Sequence, residues 1–107
     1  MINYIYSDNI MKKNIKSELM YRLSDYIGAY SVMDAVPVGM IQAHQVKTFL
    51  EMENRLIEGI DEAKRQYEAD GKTDKNLYGL IVGAESAIKA ANETIKADGK
   101  GYCYSLV

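Results

Sequence analysis

The sequence predicts a mainly α fold: a three-helix arrangement built on a long antiparallel helical hairpin, with short terminal strands forming a small ribbon. Three observations carry this. Between Ile41 and Ala69 the apolar residues Val46, Phe49, Leu50, Leu56, Ile60 and Ala63 fall on one stripe at 100° per residue. Between Thr73 and Ala97 the residues Leu77, Ile81, Ala84, Ile88, Ala91 and Ile95 are spaced 4, 3, 4, 3, 4, a heptad seam. Pro37, the only proline, separates a third helical pattern from these two.

The chain has 107 residues, of which 48% are hydrophobic and 26% charged. That suits one helical domain over residues 1–107, large enough for a single core. The net charge of −2 creates no strong field toward nucleic acid or an anionic membrane. No apolar run reaches the ~18 residues of a membrane span. The start, Met1-Ile2-Asn3-Tyr4-Ile5-Tyr6, lacks a basic segment followed by an apolar one. Cys103 is the only cysteine, as in proteins of a reducing compartment. A cytoplasmic location is therefore expected, in a chain of the size that phages and mobile elements often encode.

The elements follow in order. Ile2–Tyr6 alternates Ile and Tyr and predicts a short strand. Ser7, Asp8 and Asn9 offer turn or capping chemistry. The first helix starts at Ile10 or after Asn14; Lys12, Lys13 and Lys16 oppose the macrodipole of a first turn and favour the later start. Its stripe is Ile15, Leu19, Leu23, Tyr26, Ile27, Tyr30 and Met33. The segment Asp34–Gly39, with Pro37 inside it, ends that helix.

The long second helix stops at Ala69-Asp70-Gly71-Lys72, and Thr73 or Asp74 caps the third. The third stops at Ala97-Asp98-Gly99-Lys100, the same four residue types. The flanking helices do not align, so the echo is repeated stop chemistry. Tyr102–Leu106 then predicts a second strand, pairing with Ile2–Tyr6 of its own or of a second chain. About four residues join the last two helices, which makes them the expected hairpin, with the first helix crossing it.

Catalytic signatures are absent from the pattern. Gly71-Lys72-Thr73 has the ending of a phosphate loop, but Gln66 stands where that loop needs glycine, and a helix precedes it instead of a strand. Asp70, Thr73 and Asp74 lack the spacing of a calcium loop. His44 is the sole histidine and has no partner ligand, so a surface position is expected. No nucleophile, base and carboxylate fall together. The expectation is a non-enzymatic chain without metal or cofactor.

Three features point to binding. Glu53 projects into the apolar stripe of the second helix, where a carboxylate must be paired, protonated or facing an interface. Lys12, Lys13, Lys16 and Arg22, near Tyr4, Tyr6 and Tyr21, form a candidate anion site for nucleic acid or a small nucleotide, diluted by Glu18 and Asp25. Gly79, Gly83 and Ala87 form a ridge of small residues on the third helix, flanked by Tyr78 and Val82. Two glycines in one helix cost ~1 kcal/mol each relative to alanine, so close approach of another helix is expected there. The first helix or a second protomer fits that role, and the extra apolar surface favours the protomer.

The nine tyrosines and six methionines suit half-buried and interface positions. The functional expectation is a self-associating protein-interaction module that also binds an unidentified protein, as an accessory factor or inhibitor of a larger machine. Nucleic-acid or nucleotide binding through the lysine-rich segment is the alternative.

Overall fold

The computed structural model describes the backbone of residues 2–107 and the side chains of residues 15–107. Three long helices, α1 (Ile2–Ala35), α2 (Ala43–Ala69) and α3 (Lys75–Ala97), are followed by a 3-10 helix over Gly101–Leu106. The protein is mainly α, as its periodicity requires, and the described residues include no strand.

The helix ends obey local rules. Asp74 caps α3 by accepting from the Leu77 backbone N–H at 3.1 Å. At the start of α2 the Gln42 backbone N–H donates to Gln45 Oε1 at 2.9 Å, and the Gln45 N–H donates to Gln42 O at 3.0 Å. The two Ala-Asp-Gly-Lys stops close with equivalent backbone bonds: Lys72 N–H donates to Tyr67 O and Lys100 N–H to Ile95 O, both at 2.9 Å. Gly71 and Gly99 sit at φ 76° and 75°, the left-handed position that glycine adopts without strain.

The core is one cluster. Leu19, Tyr26 and Met33 of α1 meet Val46, Phe49, Leu56, Ile60 and Ala63 of α2. The heptad seam of α3 completes it through Leu77, Ile81, Ala84, Ala91 and Ile95, all buried. The rings of Tyr26 and Phe49 stack with centroids 5.1 Å apart. Ile57, beside Leu56 at the edge of the α2 stripe, is 41% exposed.

Two expectations about architecture are corrected. The most extensive helix contact is α1 against α2, not α2 against α3. Gly59 explains part of this: it is buried in α2 beneath Leu19 and Arg22 of α1, so the two backbones approach closely. Nor do the terminal segments form a ribbon. Residues 2–6 fall within the span of α1, which also begins earlier than Ile10 or Asn14. Their side chains lie outside the described residues. Tyr102–Leu106 belongs to the 3-10 helix.

The reason lies in where three consecutive side chains go. Tyr102 Oη accepts from Gly39 N–H at 2.6 Å, in the α1–α2 corner. Cys103 is sealed in the core. The Tyr104 hydroxyl donates to Asn92 Oδ1 of α3 at 2.5 Å. Three residues per turn send three neighbours in three directions, whereas a strand would send Tyr102 and Tyr104 the same way.

Candidate functional site

Glu53 sits where all three helices and the C-terminal 3-10 helix converge. Its Oε2 accepts from the Tyr26 hydroxyl and from Asn92 Nδ2, each at 2.9 Å. Asn92 Nδ2 also donates to Ile88 O at 2.9 Å, and Asn92 Oδ1 accepts from Tyr104. The carboxylate thus has donors from α1 and α3, and no buried side-chain polar atom among the described residues lacks a partner. Burial, and then the hydrogen bond to the carboxylate, push the Tyr26 phenol far above its ordinary range. Burial, with Cys103 and Glu53 nearby, raises Tyr104 to about 12. Both phenols stay protonated and donating throughout the physiological range. The network locks the helices in register, and neither phenol has the chemistry of a poised acid or base.

The described members of the anion-site candidate are committed within the chain. Lys16 Nζ lies 2.8 Å from Asp74 Oδ2, the cap of α3. Its hydrogen bond, followed by that of the Leu77 backbone, holds the Asp74 carboxyl below its usual range. Arg22 donates through Nη1 to Arg55 O at 2.6 Å and through Nε to Glu18 at 3.0 Å. Glu58 lies 3.8 Å from the same Nη1. The side chains of Lys12, Lys13, Tyr4 and Tyr6 lie outside the described residues.

The α3 ridge is open. A Cβ built at Gly79 or Gly83 would meet nothing within 4 Å, so α1 does not cover it. Tyr78 and Val82 are exposed beside it, with the Tyr78 ring 5.4 Å from that of Tyr67. Ala87 turns away into a groove between α1 and α3 lined by Tyr26, Ile27, Tyr30 and Ala91.

His44 is exposed near the start of α2. Cys103 is a buried free thiol whose pKa is raised by burial. Among the described residues, no three His, Cys, Asp or Glu side chains group as a metal site. No described helix is long and apolar enough to cross a membrane.

Two features escape the sequence reading. Gly59 is the glycine that permits a close helix crossing; its place inside the apolar stripe, between Leu56 and Ile60, is the signal. The second is the outer face of α1. Between Lys16 and Asp34 on one margin and Glu18 and Asp25 on the other, that face carries no charged residue from Ser17 to Ala35. Met20, Tyr21, Ile27 and Val32 on it are 56%, 70%, 48% and 48% exposed. An exposed helix normally places its charges there. None of three comparisons with known proteins, by family models, by curated sequences or by solved structures, gives a match.

Proposed function

We propose that this protein is a non-enzymatic protein-interaction module that self-associates and acts as an accessory factor or inhibitor of a larger assembly. One observation carries the reading: α1 exposes an uncharged face, and α3 an open glycine ridge, that no part of the described chain covers. On α3 the face is Gly79 and Gly83 with Tyr78 and Val82; on α1 it runs from Ser17 to Ala35. Exposed apolar side chains gathered on one helix face, as Met20, Tyr21, Ile27 and Val32 are on α1, support a protein contact.

The alternative, binding of nucleic acid or a nucleotide, is less well supported. Lys16 and Arg22 already hold Asp74 and Glu18 at 2.8 and 3.0 Å. Light scattering across a concentration series tests the main reading, and a monomer at every concentration overturns self-association. Affinity for oligonucleotides that collapses steeply with rising salt would favour the alternative; an apolar protein contact would vary little.

A further inference from the structure

The residues that follow α3 reach α1, the α1–α2 corner, the core and α3 from positions 100–104. Lys100 Nζ holds the last carbonyls of α1, Met33 O at 3.2 Å and Asp34 O at 2.7 Å. Tyr102 Oη accepts from Gly39 N–H in the corner at 2.6 Å. Cys103 enters the core, and the Tyr104 hydroxyl donates to Asn92 of α3. Two bonds inside the segment tie these anchors into one body. Cys103 N–H donates to Lys100 O at 3.1 Å, and Ser105 Oγ donates to Tyr102 O at 2.7 Å.

We infer that Lys100–Leu106 is a releasable latch, which opens as one unit while the three helices stay folded. It goes beyond self-association and does not depend on it. A hinge is present at its base: Gly99 and Gly101 flank Lys100. Gly99 stands at φ 75°, and a Cβ added there would meet nothing within 4 Å. Such glycines turn freely between backbone regions that other residues enter only with strain.

The helices keep their own contacts when the segment leaves. Of the buried apolar residues only Cys103 belongs to it, with Tyr104 packed against the cluster from outside. Asn92 would lose Tyr104, yet its Nδ2 still donates to Glu53 and to Ile88 O, and Tyr26 still donates to Glu53. The Lys100 ammonium, the α1 carbonyls, Gly39 N–H and the Tyr102 hydroxyl exchange their partners for water. An opening of this kind costs less than global unfolding, which must also break the three-helix core. Closed, the latch caps α1 and seals the core. Open, it bares the end of α1, the corner and a thiol, so whatever holds it in either position shifts one equilibrium.

Cys103 is the only cysteine and is 0% exposed, so it reports the open state. Once uncovered, its thiolate displaces iodide from iodoacetamide, and mass spectrometry measures the adduct in the intact chain. Without denaturant, labelling should run at least tenfold faster than the globally unfolded fraction permits, that fraction being taken from urea denaturation followed by circular dichroism. The rate should also rise with urea less steeply than global unfolding does, because opening exposes little surface. Tyr102→Phe, at a site 39% exposed, and Lys100→Met each remove an anchor and should speed labelling about threefold or more. Labelling with the rate and urea slope of global unfolding overturns the inference, since only the unfolded chain would then present Cys103. Labelling at the rate of a free thiol also overturns it, because the segment would then not be docked. A shallow slope with a rate that neither variant alters overturns it as well, because another opening would then reach the thiol.

Discussion

The hydroxyl of Tyr26 lies 2.9 Å from the carboxylate of Glu53, and this contact joins the middle of α1 to the middle of α2. Both residues occupy positions that periodicity assigns to the core. Neither pays the usual penalty of a buried polar group, because each satisfies the other and Asn92 holds the carboxylate from α3.

Removing one member strands the rest. Tyr26→Phe leaves Glu53 one donor short and should lower stability by ~1–3 kcal/mol. Glu53→Leu leaves the Tyr26 hydroxyl and Asn92 without their acceptor and should cost a similar amount or more. Urea denaturation of the two single variants and the double variant is the measurement. The single effects should not add, since they share one network; strict additivity, or unchanged midpoints, would contradict the coupling.

The same network predicts alkaline sensitivity. Tyr26 and Tyr104 have folded pKa values raised above the unfolded value of about 10, with Tyr104 at about 12. A raised pKa means that the unfolded chain releases its protons first as pH climbs. Their contribution is therefore complete below pH ~10 and is lost progressively above it, at up to ~1.4 kcal/mol per pH unit for each tyrosine. Tyr104→Phe should flatten the fall in unfolding free energy measured between about pH 10 and 12. An equal slope in wild type and variant would show that Tyr104 is not buried as described.

The glycines of the two faces should respond in opposite directions. A Cβ at Gly79 or Gly83 meets nothing, so alanine at either position should stabilise the fold by ~0.5–1 kcal/mol through helix propensity. At Gly59 the new Cβ would lie 2.9 Å from Arg22 Cδ and 3.5 Å from Leu19 Cδ1. Gly59→Leu should force α1 away from α2 and cost roughly 2–3 kcal/mol. Thermal melts decide the point, and a Gly59→Leu protein as stable as wild type would refute the close crossing.

Lys100 provides a fourth test. Only 6% exposed, it donates through Nζ to Asp34 O at 2.7 Å and Met33 O at 3.2 Å. A cation there satisfies the last carbonyls of α1 and complements the negative end of its dipole. Lys100→Met keeps the packing of the stem but removes the donors, and should destabilise by ~1–3 kcal/mol. Lys72→Met at the equivalent exposed stop should change little. Equal melting shifts for the two would mean that Lys100 is not a cap.

Lys72 and Lys100 also divide what the sequence by itself determined from what only tertiary structure decided. Helix stops depend on a few adjacent residues, so Ala-Asp-Gly-Lys ends both α2 and α3 with the same backbone bonds, and the glycines announce it. The capping by Asp74 and the α3 seam are equally local: a period of 3.5 needs no knowledge of the partner. The fate of each lysine is not local. Lys100 is buried with its ammonium on the last carbonyls of α1, while Lys72 remains exposed. Glu53 is similar. Its place in an apolar stripe is written in the spacing, but the hydroxyl and amide that receive it come from residues 27 and 39 positions away. Tyr102–Leu106 has the alternation of a strand, yet three non-local anchors, Gly39, the core and Asn92, wind it into a 3-10 helix. Local chemistry set where α2 and α3 end and where α3 begins. Which faces meet, and which polar groups can be buried, depended on residues that only folding brings together.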